Sequence, residues 1–231
     1  MEAFPESKKS KIIKFTVCIF LFCLPILFYV FFASGKNGFT KLPVVKENIS
    51  DLPLSKSLAS DTISLKEKIT ILGFPGYDIL KEKGNSFNLL QKIYNKNRDF
   101  TDFQLVYILP EGTEEQAKEL LKELSPMSDL YRWYFVFAPV NEIKEFYNSL
   151  DLRGGLNENL STPYVYIIDK DLNLRGRKGF NKKDGKSEYK EGYNTVSAAE
   201  LHNEMSDDVK VILAEYRLAL KKNNRNVIVK E

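Results

Sequence analysis

Apolar and polar residues follow three different rhythms along this chain. Phe15–Ala33 (FTVCIFLFCLPILFYVFFA) carries no charge, and its length matches the roughly 20 residues that span a bilayer's hydrocarbon core. Further on, Lys68–Phe74 (KITILGF), Phe103–Leu109 (FQLVYIL) and Trp133–Phe137 (WYFVF) are short runs rich in β-branched and aromatic residues, the pattern of buried strands. Between them, apolar positions recur three and four residues apart. Leu89, Leu90, Ile93 and Tyr94 define the inner side of a helix over Phe87–Asn97, with Asn85 or Ser86 as its cap. Ala117, Leu120, Leu121 and Leu124 follow the capping-box pattern Thr113-Glu114-Glu115-Gln116. Ile143, Phe146, Tyr147 and Leu150 give helical spacing to Val140–Leu150.

Ser161–Arg177 (STPYVYIIDKDLNLRGR) predicts a hairpin: an apolar strand at Tyr164–Ile168, a polar turn at Asp169–Asn173 and a short return strand. A second capping box, Ser197-Ala198-Ala199-Glu200, opens a final helix with an inner stripe of Leu201, Met205, Val209, Ile212, Tyr216 and Leu220. Strands alternating with helices imply parallel pairing through crossovers, and the hairpin adds an antiparallel edge. The expected fold class is an α/β three-layer sandwich with a mixed sheet, preceded by one transmembrane helix.

The chain divides accordingly into a cytoplasmic N-terminus over 1–14, an anchor over 15–33, a lead-in over 34–63, a folded domain over 64–222 and a tail over 223–231. Lys8, Lys9, Lys11 and Lys14 flank the apolar run on its N-terminal side and favour keeping that side in the cytoplasm. The remainder then faces outward, into the periplasm. A cleaved signal is the alternative, since Ala33-Ser34-Gly35 places small residues at acceptable spacing.

Composition narrows the chemistry. A formal net charge of +3 does not argue for nucleic acid, which demands a concentrated basic face. The two cysteines, Cys18 and Cys23, both lie in the apolar run. From Ser34 onward the chain has no thiol for a disulfide, a thiolate metal site or cysteine catalysis.

SLKEKITILGF (64–74), WYFVFAPVNEIKEFYNSL (133–150) and YVYIIDKDLNLRGR (164–177), followed by a last helix, resemble the thioredoxin-like Sco proteins, which deliver copper for cytochrome oxidase assembly. The resemblance implies a thioredoxin-like domain behind a single membrane anchor. Sco proteins carry two cysteines after the strand corresponding to Ile69–Phe74, where this chain reads Pro75-Gly76-Tyr77-Asp78-Ile79-Leu80. Their metal-binding histidine corresponds to Asn157-Glu158-Asn159-Leu160-Ser161. Thr162-Pro163 resembles the threonine–cis-proline pair of ordinary thioredoxins.

Two regions are candidate sites. Phe74, Pro75, Tyr77 and Ile79 with Thr162 and Pro163 form a candidate partner cleft. Arg175, Arg177, Lys178, Lys182, Lys183 and Lys186 form a candidate basic patch, for an anionic partner or a lipid surface. His202, the sole histidine, has no companion ligand and reads as a structural or surface residue. Asp169 and Asp171 read as turn acceptors, and Asp207 and Asp208 as a solvated face. The expectation is a protein-binding or assembly factor in the cell envelope, with no catalytic residue, cofactor or metal. An enzyme using the same cleft without cysteine is the alternative.

Overall fold

The computed structural model describes residues 8–34, 41–52, 56–58, 63–180 and 187–228. The chain forms two compact units, Met1–Phe39 and Thr40–Glu231. The first contains helix α1 (Lys8–Ser34), with Pro25 inside it. Its stretch Ile12–Phe31 is long and apolar enough to cross a membrane, a criterion that a signal sequence near the N-terminus also meets.

The second unit is organised on a mixed sheet. Its strands are β1 (Val44–Lys46), β2 (Lys56–Ser57), β3 (Ile69–Gly73), β4 (Phe103–Pro110), β5 (Trp133–Ala138), β6 (Tyr164–Ile168) and β7 (Leu174–Arg175). They lie in the order β1-β7-β6-β3-β4-β5-β2, and β10 (Tyr193–Asn194) also pairs with β6. β3, β4 and β5 run parallel, while β6 is antiparallel to both β3 and β7. This is the thioredoxin-like arrangement expected from the sequence: two parallel crossovers and an antiparallel hairpin edge.

Period-two alternation distributes the strand side chains between two cores. Ile69, Ile71, Phe103, Leu105, Tyr107, Trp133, Phe135, Val165 and Ile167 face one side. There they meet Leu89, Leu90, Ile93 and Tyr94, α4 (Glu114–Leu124) through Ala117, Leu120 and Leu124, and the last helix through Leu201, Met205, Val209 and Ile212. Leu72, Val106, Ile108, Val136, Tyr166 and Ile168 face the other side, against Ile143, Phe146, Tyr147 and Leu150 of α5 (Val140–Ser149) and its C-cap. The helical stripes read from the sequence are therefore the buried ones. Leu220's side chain lies outside the described residues.

Local details depart from the sequence reading. The helix expected at Phe87 begins at Lys83 (α2, Lys83–Leu89), continues through a π turn at Leu90–Tyr94 and ends in α3 (Asn95–Asn97). Ser86 is consequently inside the helix, and its hydroxyl meets Tyr107 Oη at 3.1 Å instead of capping. Thr113 does not cap α4; its hydroxyl donates to the Pro110 carbonyl. Ser197 does cap α6 (Ala198–Glu200), accepting from the Glu200 amide. A second π turn at Leu201–Met205 then leads into α7 (Ser206–Ile228). The polar stretch after the hairpin is not irregular throughout: β8 (Arg177–Phe180) and β9 (Ser187–Lys190) pair antiparallel as a separate two-stranded sheet.

The lead-in contributes structure of its own. β1 covers the outer edge of β7, Ile49 is buried, and the Ile49 amide donates to the Leu172 carbonyl. An unpaired edge on β7 would otherwise expose a row of main-chain donors and acceptors.

Candidate functional site

The Pro75–Leu80 turn leaves the sheet at the carboxyl end of β3, and hydrogen bonds from the 157–162 loop hold it in place. The Tyr77 amide donates to the Asn159 carbonyl at 3.0 Å, and the Thr162 amide donates to the Phe74 carbonyl at 3.0 Å. Asn159 Nδ2 donates to the Asp78 carboxylate at 2.7 Å. Asn157 Oδ1 organises the partner loop by accepting from the amides of Asn159 and Ser161. The 157–162 loop thus clasps the turn.

Gly76 makes this closeness possible. Its φ is +67°, and a Cβ there would lie 2.1 Å from the Asn159 carbonyl oxygen. Glycine meets both demands because it has no Cβ.

The six candidate cleft residues do not form one open groove. Phe74 is buried between Phe146, Tyr147 and Tyr166, with the Tyr147 ring edge-on at 5.1 Å. Ile79 is buried in the opposite core. Phe74, Pro75, Ile79 and Thr162 line a recess completed by Gly73, Glu82, Asn85, Ser86, Tyr107, Val165 and Thr195. The volume open to water-sized centres is ≈ 20 Å³. That holds about one water molecule, not a peptide side chain.

Pro163 and Tyr77 lie outside that lining. The Thr162–Pro163 bond is trans, as the described peptide bonds include no cis link. The Pro163 carbonyl accepts from both the amide and the hydroxyl of Thr195, so strand β10 and its continuation occupy its hydrogen-bonding side. Tyr77, at 40%, Tyr164, at 44%, and Val196, at 63%, are exposed.

The phenols beneath the turn are locked in the neutral form. Burial pushes Tyr107 and Tyr166 above the ordinary tyrosine range; the Tyr147 hydroxyl adds to the rise at Tyr166, whereas the Ser86 hydroxyl lowers Tyr107 slightly. Burial likewise raises Tyr147. Neutral phenols here act as hydrogen-bonding members of the core, as in the Tyr147–Tyr166 contact at 3.1 Å.

The candidate basic patch is divided by the fold. Arg175 is buried: Nη1 donates to Asp169 Oδ2 at 2.8 Å, Nη2 to Glu215 Oε2 at 2.8 Å, and Nε to the Leu42 carbonyl at 2.9 Å. It therefore leaves the surface patch, because three acceptors from separate segments converge on it. Burial lowers its pKa, but Asp169 and Glu215 outweigh burial and the net shift is upward. Arg177 is paired bidentately with Asp208, at 2.9 and 3.0 Å. Lys178 is exposed; Lys182, Lys183 and Lys186 lie outside the described residues.

The carboxylates sort similarly. Asp169 accepts from the amides of Asp171 and Asn173, the expected turn role, and holds Arg175 as well. Asp208 is buried rather than solvated, because Arg177 and the Tyr193 hydroxyl, at 2.7 Å, satisfy it. Asp207 and His202 are exposed. Among the described residues no three His, Cys, Asp or Glu side chains group as a metal site.

Sequence reading missed Ser86, Tyr107, Thr195 and the Asn157/Asn159 clasp. Their meeting depends on segments up to 109 residues apart; only the Asn-rich run Asn157–Asn159 carried a local signal, that of an Asx turn.

No family model matches the chain, and no curated protein matches it. Similar solved structures include BsSco, a member of the Sco family of cytochrome c oxidase assembly proteins. It is 15% identical, with 73% of this chain and 95% of that one covered and a TM-score of 0.46. ScoI of Bradyrhizobium japonicum with copper bound is 15% identical, covering 71% and 99% at a TM-score of 0.44. The thioredoxin domain of a thiol-disulfide oxidoreductase from Bacteroides vulgatus is 16% identical, covering 58% and 87% at 0.42. At these identities the likeness concerns the fold and says nothing of activity. The strand order and directions described above make the folded unit thioredoxin-like in topology; one long apolar helix precedes it in sequence, and both cysteines are exposed on that helix.

Proposed function

We propose that this protein is a membrane-anchored, outward-facing binding or assembly factor of the cell envelope, without thiol redox or copper chemistry, and that it docks partners at the Pro75–Leu80 end of its domain. The observation that carries this reading is the clasped turn. Where the resemblance places a cysteine pair, Pro75–Leu80 offers no thiol, and its main chain is hydrogen-bonded to the loop standing in the histidine's place. Soft thiolate and imidazole ligands are what suit copper, and this end of the domain supplies neither.

What remains accessible there is the rim. Tyr77, Tyr164 and Val196 are exposed, and exposed aromatic residues are common anchors of protein interfaces. The lysines before Phe15 support the outward orientation.

A photo-crosslinking side chain at Tyr77, compared with one at Tyr131 on the opposite end of the sheet, tests the docking end in intact membranes. Discrete protein adducts are expected from Tyr77 alone. Equal adducts from both positions, or none from Tyr77, reject it. Copper(I) titration of the Cys18→Ser/Cys23→Ser chain tests the chemistry: one tight site in the domain contradicts the reading.

A further inference from the structure

We propose that α1 pairs with the α1 of a second copy of this chain, through a seam formed by Ile12, Thr16, Ile19, Cys23, Ile26 and Val30. This rests on the anchor reading above and adds what the anchor packs against.

The seam follows from spacing. Steps of 4, 3, 4, 3 and 4 residues bring these positions onto one side of α1, within an arc of about 80° at 3.6 residues per turn. This is the a/d repeat by which paired helices interlock. Every seam residue apart from Cys23 is β-branched. Every phenylalanine, tyrosine and leucine of Ile12–Phe31 lies off the seam, and so does Pro25. A helix that met only lipid would have no need of such sorting, because lipid tails are as apolar as any of these side chains.

Sorting by branching has a physical use. The χ1 angle of isoleucine and valine is already fixed within a helix, so packing them against a neighbour costs little further rotamer freedom. Helix association in a bilayer gains nothing from hydrophobic burial and rests on close packing, which makes that difference count. The Thr16 hydroxyl donates to the Ile12 carbonyl at 2.9 Å, so it is satisfied within its own helix and presents no unmet donor to a neighbour. No residue of Ile12–Phe31 is buried, and the seam is therefore open.

The occupant that suits this seam is its own duplicate. Copies of one chain enter a membrane in the same direction and to the same depth, so like residues meet at each level of a parallel, isologous pair. Ile12, Ile19 and Ile26 then form layers that alternate with the smaller Thr16, Cys23 and Val30, each side chain a knob for the facing helix's holes. Lys14 is the single charge within Ile12–Phe31. It lies two residues from both Ile12 and Thr16, hence on the opposite side of the helix, and pairing at the seam keeps the two ammonium groups apart.

Disulfide crosslinking of the full chain in native membranes, with copper phenanthroline as oxidant, tests the pairing. Cys18→Ser leaves Cys23 on the seam, whereas Cys23→Ser leaves Cys18, which lies about 140° around the helix. The first chain is expected to form a covalent homodimer and the second not to, since a disulfide needs Cα atoms within about 7 Å of each other. Energy transfer between labelled copies in liposomes reads the equilibrium without any disulfide. Ile19→Phe with Ile26→Phe keeps the span apolar but should weaken pairing at least about tenfold, while Leu21→Phe with Leu27→Phe, off the seam, should leave it unchanged. Equal crosslinking from both cysteines, no homodimer from Cys23, capture by Cys23 of other proteins alone, or energy transfer indifferent to the seam substitutions overturns the proposal. The intact mass of the membrane-extracted chain separates this failure from that of the anchor reading. A chain that retains α1 without pairing removes the homodimer alone, whereas a chain cleaved after α1 removes the anchor as well.

Discussion

At the end of the sheet where β3 begins, Asp169 and Arg175 are buried side by side, with side-chain exposures of 1% and 5%. At the end where β3 stops, the Pro75–Leu80 turn is held by main-chain hydrogen bonds and by Asn159 donating to the half-buried Asp78. Arg175 ties four segments together: the lead-in through Leu42, the hairpin turn through Asp169, strand β7 itself and helix α7 through Glu215. The opposite end uses charge differently. It needs few buried ions to hold its shape, because glycine and asparagine let two loops pair directly.

The two ends should therefore respond differently to substitution. The largest loss is expected from Arg175→Ala, which strands Asp169 as a buried unpaired charge and costs about 3–5 kcal/mol. Urea unfolding of the detergent-solubilised chain, followed by the fluorescence of the single tryptophan Trp133, measures it. Gly76→Ala tests the other end. The positive φ alone costs on the order of 1–3 kcal/mol, and the approach to the Asn159 carbonyl adds to that. A loss for Gly76→Ala as large as that for Arg175→Ala would erase the contrast between the ends.

Smaller effects sharpen it. Ser197→Ala removes the cap from the last helix and should cost about 1 kcal/mol in the same measurement. Asp102 provides a pH test at the charged end. Burial raises its pKa, but the hydrogen bond and charge of Lys170 outweigh this and hold it below the usual carboxylate range. A lowered folded-state pKa means that its stabilisation is present above the unfolded-state value and fades as pH falls through the folded one. Asp102→Asn should thus cost less than about 1 kcal/mol at neutral pH, because the pair is partly exposed, and nothing at strongly acidic pH. Denaturation midpoints at the two pH values check this; equal losses at both would remove Lys170 as the cause. Last, Tyr77→Ala should change stability by no more than about 0.5 kcal/mol, while abolishing the crosslinks expected from this rim when the probe is moved to Tyr164.

Much of the architecture was legible in local pattern. KITILGF, FQLVYIL and WYFVF had the composition of buried strands, and each is one. Ser197 and Glu200 signalled a helix start that the structure contains. Thr113 and Ser86 gave the same kind of signal, but other partners claimed their hydroxyls: the Pro110 carbonyl just upstream in one case, and Tyr107 across the core in the other. Arg175 failed as a surface prediction for a similar reason. Its local context is a polar hairpin, and only the arrival of Leu42 and Glu215 turns that context into an interior.

The sequence by itself determined the apolar helix, the alternation of strands and helices, and the absence of thiols from the folded domain, because each of these is a property of neighbouring residues. Tertiary structure decided which charges are buried and that the turn after β3 is clasped shut. Those outcomes depend on contacts between residues tens of positions apart, whose desolvation and pairing exist only once the chain has folded.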